Sequence, residues 1–135
     1  MLLYDPKKKV FVVRSGGVVV KNVRLDGKLI AGRNVSFLGN VKAEEAIFGI
    51  GCLINGIIEA DRVVLGAKSK FNEIRCNNAL IQPMCVGKKI RAKGDVRIYS
   101  SIIDVVEAEG VVTVDGSSKL GKLTASKVVA KSEFK

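Results

Sequence analysis

The sequence predicts an all-β fold: a right-handed parallel β-helix, triangular in cross-section, with about seven to eight rungs and a period of about 16–17 positions. Three observations support this. A motif of one apolar, one variable and one small residue recurs along the chain, an aliphatic residue follows each motif start by six positions, and the apolar segments are short and rich in β-branched residues. Such segments favour strands over helices. Parallel crossover connections are nearly always right-handed.

The motif occurs eight times, at 13–15, 29–31, 41–43, 58–60, 74–76, 90–92, 106–108 and 123–125. The aliphatic residues six positions after each motif start are Val19, Val35, Ile47, Val64, Leu80, Val96, Val112 and Val129. We expect this column to stack inside the solenoid, at about 4.8 Å per rung. The interval between successive motifs is nearly constant except between Leu29 and Val41, where it is shorter and we expect a rung to lose a corner.

A third column of apolar residues is looser, and each member precedes a Gly, Asn or Asp. Its members are Leu38, Ile54, Phe71, Val86, Ile103 and Leu120. Gly, Asn and Asp tolerate positive φ, so we expect corners at these positions. The middle residues of the motif predict an outward charge ladder in which Lys42, Glu59 and Arg75 alternate in sign. Arg75 above Arg91 is the exception.

Composition bounds the domain organisation and the chemistry. The 135 residues fit one domain, residues 10–135, preceded by a tail of residues 1–9. The absence of histidine excludes Ser-His-Asp and Cys-His catalysis and histidine-ligated metals, and no GxGxxG or GxxxxGK[ST] motif is present. We therefore expect no catalytic residue, no cofactor, no metal and no small-molecule substrate.

The formal charge of +10 indicates either an anionic partner, such as nucleic acid, a membrane surface or an acidic polymer, or a surface whose charge only keeps the protein in solution. The densest basic cluster, and the candidate binding site for such a partner, is Lys88, Lys89, Arg91, Lys93 and Arg97. A possible acidic cluster, Glu44, Glu45, Glu59 and Asp61, is better interpreted as a solvated patch that pairs with Lys42 and Arg62. Cys76 falls in the small column, which predicts a buried core thiol. The chain has no run of 18 apolar residues, and we expect a cytoplasmic location with membrane association as an alternative.

The repeated apolar-x-Ala motif, the aliphatic residue six positions later and the glycines of segments 37–43 and 54–64 resemble the bactofilin family. The resemblance covers about residues 12–130. It implies a small cytoskeletal scaffold that polymerises without nucleotide by end-to-end stacking of terminal rungs. Some bactofilins carry an N-terminal membrane-targeting segment, to which residues 1–4 are a loose analogue. The chain departs from the family in its high basic charge and its lack of proline-rich tails.

We therefore predict a self-assembling structural protein whose main partner is its own copy. A solenoid without terminal caps exposes unpaired strand edges and an apolar cross-section. The residues expected at the two ends are Phe11, Val13, Val19, Leu123, Val128, Val129 and Phe134. The first residues either fold over the first rung as a cap or contact a membrane. The alternative function is a monomeric β-solenoid module that binds an anionic partner through a basic face.

Overall fold

The computed structural model describes residues 2–5 and 7–131. This part of the chain contains β-strands and connecting segments and no helix. All strand pairings are parallel except that of the first two strands. The strands stack as a β-solenoid of about seven rungs, which confirms the predicted fold class.

Eighteen strands are formed within the described residues. They are β1 (Leu2–Asp5), β2 (Val10–Val13), β3 (Val18–Val19), β4 (Val23–Arg24), β5 (Lys28–Ala31), β6 (Ser36–Phe37), β7 (Val41–Lys42), β8 (Glu45–Phe48), β9 (Leu53–Glu59), β10 (Arg62–Leu65), β11 (Lys70–Cys76), β12 (Asn78–Ile81), β13 (Val86–Ala92), β14 (Val96–Tyr99), β15 (Ile102–Ala108), β16 (Val111–Asp115), β17 (Lys119–Thr124) and β18 (Lys127–Lys131).

Each rung contributes one segment to each of three faces. Face 1 consists of β2, β5, β8, β10, β12, β14, β16 and β18, with β1 at its edge. Face 2 consists of β3, β6 and the leading halves of β9, β11, β13, β15 and β17. Face 3 consists of β4, β7 and the trailing halves of the same five strands. The triangular cross-section therefore follows from a bend within each long strand.

Equivalent residues of successive rungs stack in register, and this stacking builds the core. On face 1 two inward columns run along the axis: Leu29, Ala46, Val63, Ala79, Val96 and Val112, and Ala31, Phe48, Leu65, Ile81 and Ile98. All of these residues are buried. Because side chains alternate across a strand, the residues between the two columns point outward.

The expectation that the six-residue column lies inside is wrong for half of its members. Ile47, Val64 and Leu80 lie on the outer side of face 1, between the two inward columns, and are half-buried. Val129 lies in the same outer column, opposite Thr113. Val96 and Val112 are inside, as predicted. The core of face 1 is therefore displaced by one residue from the predicted column over several rungs.

The physical reason is a corner that gains one residue. Two residues separate Cys76 from Ala79, whereas three separate Ala92 from Val96, although both pairs are equivalent in register. A one-residue change exchanges the inner and outer faces of a strand. The side chain of Asn78 supports the longer corner, since its Oδ1 accepts a hydrogen bond of 2.8 Å from the Asp95 amide.

The predicted short rung between Leu29 and Val41 is also wrong. Segment 29–31 lies on face 1 and segment 13–15 begins at Val13, the last residue of face 1 in its rung, whereas the other six copies of the motif lie on face 3. The residue on face 3 that is equivalent to Val41 is Val23, one full rung earlier in the chain. Each of the first seven rungs therefore has three faces, and the short interval in the sequence arose because motif copies from two different faces were compared.

The positive-φ corner lies elsewhere than predicted. None of Gly39, Asn55, Asn72, Gly87, Asp104 and Gly121 has positive φ. Apart from Lys9, the described residues that do are found once per rung at the corner between faces 1 and 2: Gly16, Asn34, Gly51, Lys68, Met84, Ser100 and Gly116. In the third column, Leu38 and Val86 are exposed, and Phe37 and Gly87 take the inward positions. Gly87 has no side chain because the ring of Phe71 occupies that space.

A buried polar column follows the same corner and was not predicted. It consists of Cys52, Ser69, Cys85 and Ser101, all with at most 2% exposure. The Ser69 and Ser101 hydroxyls accept hydrogen bonds of 3.1 Å from the amides of Cys52 and Cys85. Each hydroxyl also donates to a backbone carbonyl, so the column satisfies the polar groups of adjoining corners.

The outward position of Val64 predicts a sharp difference between two adjacent substitutions. Val63 is fully buried on face 1 and Val64 is half-buried on its outer side. Val63→Asp would bury an unpaired carboxylate and should destabilise the fold by several kcal/mol. Val64→Asp should cost about 1 kcal/mol. Urea unfolding measures both, and equal losses would contradict the register.

The contact between Phe71 and Gly87 predicts coupling between their substitutions. A Cβ at position 87 would overlap the Phe71 ring, so Gly87→Ala should destabilise the fold by about 1–3 kcal/mol. Phe71→Leu shortens the side chain and should recover part of this loss in the double variant. A double-mutant cycle from urea unfolding tests this, and strict additivity would mean that the two residues do not share the space.

Candidate assembly ends and charged faces

The C-terminal end of the described solenoid is open. The outer edges of β17 and β18 have no partner strand among residues 2–5 and 7–131. Val128 occupies the inward column above the fully buried Val112, yet it is 48% exposed because no described residue stacks on it. Leu120, Leu123 and Ala125 are only partly buried against the core. Within the described residues, this end therefore presents an apolar cross-section beside the unpaired strand edges of β17 and β18.

The N-terminal end is covered on face 1. The backbone of β1 pairs antiparallel with β2, so that Leu2 lies opposite Val13 and Asp5 opposite Val10. Residues 2–5 thus fold over the first rung, as the cap interpretation requires. On the other two faces, β3 and β4 have an outer edge without a partner in the part of the chain that the structure describes.

The residues predicted for the assembly interface are distributed as follows. Leu123 and Val128 lie in the inward columns at the C-terminal end, and Phe11 and Val19 are partly buried in the first rung. Val13 is fully buried under β1, and Val129 lies on the outer side of face 1. Phe134 is outside the described residues.

The predicted basic cluster does not form one patch. Lys88 lies on face 2, Lys89 at the bend, Arg91 on face 3, Lys93 at the following corner and Arg97 on face 1. Lys89 and Arg91 both pair with Glu107, at 4.0 and 3.4 Å. Arg97 pairs with Asp115 at 3.1 Å and lies over the ring of Tyr99. Within the described residues, Lys88 and Lys93 form no ion pair.

The outward charge ladder on face 3 is present, and the structure explains its exception. Lys42 pairs with Glu59 of the next rung at 3.9 Å. Arg75 donates a hydrogen bond of 2.7 Å to the Glu73 carboxylate of its own strand, and Arg91 pairs with Glu107 of the next rung. This hydrogen bond and the negative charge of Glu73 raise the pKa of Arg75. These pairs are exposed, so they support the register more than they stabilise the fold.

The four acidic residues proposed as a solvated patch are divided between two faces. Glu45 on face 1 pairs with Lys28 and Arg62, and Glu59 on face 3 pairs with Lys42. No group of three or more metal-ligating side chains occurs among the described residues. A shallow groove of about 850 Å³ follows the corner between faces 3 and 1, with Ala60, Cys76 and Ala92 on its floor and charged side chains along both walls.

All three cysteines are free and buried. Burial raises the pKa of the Cys52 and Cys85 thiols. Burial, together with the nearby Asp61 carboxylate, raises the pKa of Cys76 to about 12. A thiol with such a pKa carries no thiolate at neutral pH and is a poor nucleophile. The cysteines are therefore core residues, as predicted for Cys76.

Comparison of the chain with protein-family models, with curated proteins and with solved structures finds no match. None of the described residues belongs to a helix that is long and apolar enough to span a membrane.

The raised pKa of Cys76 predicts a loss of stability in mild alkali. The unfolded thiol ionises near pH 9 and the folded thiol near pH 12. The protonated Cys76 thiol therefore contributes fully to the free energy of unfolding below pH 9, and this contribution decreases as the pH rises further. At pH 10 the loss should be about 1 kcal/mol. Cys76→Ala, which matches Ala60 and Ala92 in the column, should remove this part of the pH dependence. Identical urea-unfolding profiles of both proteins from pH 8 to 10.5 would contradict it.

Proposed function

We propose that the protein is a self-assembling structural scaffold of the bactofilin type, which polymerises without nucleotide by end-to-end stacking of its rungs. The observation that carries the proposal is the open C-terminal end. Val128 lies in a column whose preceding member, Val112, is fully buried, yet it is itself 48% exposed. A second chain stacked there would continue the column and pair the edges of β17 and β18.

The two ends support different first contacts. At the N-terminal end, β1 covers face 1 and Val13 is fully buried. The exposed apolar cross-section is at the C-terminal end. Contact between two C-terminal ends gives a dimer with two-fold symmetry, and a further contact between N-terminal ends extends it into a filament. The resemblance to bactofilins supports the same head-to-head arrangement.

Both ends are rimmed by cations, which sets the conditions for assembly. Lys119, Lys122, Lys127 and Lys131 surround the C-terminal end, and Lys7, Lys8 and Lys9 lie beside β1. None of the ion pairs among the described residues involves them. Stacking of either kind brings like charges together. Assembly should therefore strengthen as salt screens this repulsion.

A second candidate function is a monomeric module that binds an anionic partner. The observation that favours it is the formal charge of +10: of the 23 Lys and Arg residues, seven form the ion pairs found among the described residues. Lys88 and Lys93 of the predicted cluster remain available on neighbouring surfaces. This function requires no contact between chains, so the oligomeric state separates the two candidates.

The end-stacking proposal predicts opposite results for two adjacent substitutions. Val128→Glu places a carboxylate in the inward column at the C-terminal end and should weaken association at least about 100-fold, since a buried unpaired charge costs several kcal/mol. Val129→Glu lies on the outer side of the same strand and should leave association unchanged. Sedimentation velocity at 50 and 500 mM NaCl measures both.

The wild-type protein should form species larger than a monomer, and their fraction should increase with salt. A wild-type protein that stays monomeric at high concentration in both salts would refute end stacking and favour the binding module. Equal effects of the two substitutions would show that assembly uses face 1 rather than the end. Circular dichroism of each variant confirms that the comparison is between folded proteins.

A further inference from the structure

We propose that face 2 is a docking surface for an anionic lipid bilayer. Eight of the nine exposed large hydrophobic residues in the described part of the chain lie on this face or on the corner that leads to it. Those on the face itself are Val18, Val20, Leu38, Leu53, Val86 and Ile102, with exposures of 38–69%. Ile50 and Met84 lie on the corner, and the ninth residue, Val128, is at the open end.

The exposed apolar residues form a row because the register stacks them. Val18, Leu53, Val86 and Ile102 belong to one outward column of face 2, whose other members include Lys70 and Lys119. The column extends over seven rungs, or about 29 Å at about 4.8 Å per rung. The apolar members, which are interrupted by Ser36 and Lys70, can enter the boundary between lipid headgroups and acyl chains at several points along this length.

The charges of face 2 complement lipid phosphates. Arg14, Arg33, Lys68, Lys70, Lys88 and Lys119 lie on the face or its corner. Among the described residues the carboxylates there are Asp104 on the face and Asp115, which lies at the end of β16 in the corner position equivalent to Arg14. All seven ion pairs found in the described part of the chain lie on faces 1 and 3 or at the bend between faces 2 and 3, and none uses these six cations. Each cation is therefore available to an external anion.

Other occupants fit this face less well. A second copy related by symmetry would bring lysines against lysines with almost no carboxylate to match them. A nucleic acid would use the lysines but would gain little from the aliphatic row, and no aromatic side chain among the described outward residues of the face offers a stacking platform. An anionic bilayer uses both the apolar row and the cations.

This inference extends the second candidate function by naming the face and the partner, and it does not depend on end stacking. Face 2 runs parallel to the solenoid axis, so it stays accessible when chains stack through their ends. A filament would then present many copies of the face to one membrane and bind it with avidity. Salt separates the two properties, because screening should strengthen end stacking and weaken membrane binding.

The test is flotation of the full chain with vesicles of phosphatidylcholine and phosphatidylglycerol at a ratio of about 7:3 in low salt, compared with pure phosphatidylcholine. Binding should require the anionic lipid. Lys70→Gln with Lys88→Gln should lower the partition coefficient by about 30-fold, given about fivefold for each lysine near a charged surface. The matched control, Lys42→Gln with Arg91→Gln on face 3, removes the same charge and should change binding much less.

A second pair of variants tests the apolar contribution. Val86→Ser with Ile102→Ser should reduce vesicle binding, whereas Ile47→Ser with Val64→Ser on face 1 should not. Melting temperatures show whether each variant is folded. The same assays with Val128→Glu separate this inference from end stacking, since that variant should still bind vesicles.

Three results would overturn the inference. The first is the absence of binding to anionic vesicles. The second is an equal loss in the face 2 variants and their controls, which would mean that only net charge matters. The third is tighter binding to a duplex DNA probe with no effect of Val86→Ser and Ile102→Ser, which would assign the face to nucleic acid.

Discussion

The stacking of equivalent residues from one rung to the next is the constraint on which the structure depends. Parallel pairing places each inward side chain about 4.8 Å from its counterpart. Each side chain must therefore pack against the equivalent side chains of the rungs before and after it. Most columns meet this requirement with aliphatic residues of similar size. Where the sizes differ, a small residue lies next to a large one in the adjacent rung. Gly87, for example, leaves the space that the ring of Phe71 occupies. The corners obey the same rule, because one positive-φ residue recurs in each rung at the same position.

The same constraint explains what could be read from the sequence. An aliphatic pattern that recurs at a nearly constant interval is enough to predict the solenoid, its approximate number of rungs and the small buried column on face 3. The pattern does not determine which of two neighbouring columns on a face points into the core. The corner before Val96 is one residue longer than its equivalent, and this insertion moved the predicted column from the outer to the inner side of face 1 between Leu80 and Val96. The outward column is aliphatic at Ile47, Val64 and Leu80, so apolar character does not separate the two sides of the face in those rungs, whereas the column continues as the polar residues Arg97 and Thr113 after the insertion.

The surface features were harder to predict because they depend on which residues share a face. Three of the five clustered basic residues form ion pairs with acidic residues of other rungs or strands, and only the register shows this. The exposed aliphatic row of face 2 is spread over more than eighty positions of the chain and becomes a surface only after folding. Both features can be derived once the register of the strands is known. Stacking between rungs thus determines the interior. The exposed apolar residues of the described chain lie at the C-terminal end and on face 2 with its corner.

The most direct test of this account is a cryo-electron microscopy reconstruction of the assemblies formed at high salt. The stacking constraint predicts strands perpendicular to the filament axis, a continuous spacing of about 4.8 Å across the junction between chains, and a rise of about 35–40 Å per chain. Val128 should be buried at the junction against a second chain. Filaments with strands along the axis, or junctions that leave Val128 exposed, would contradict the account.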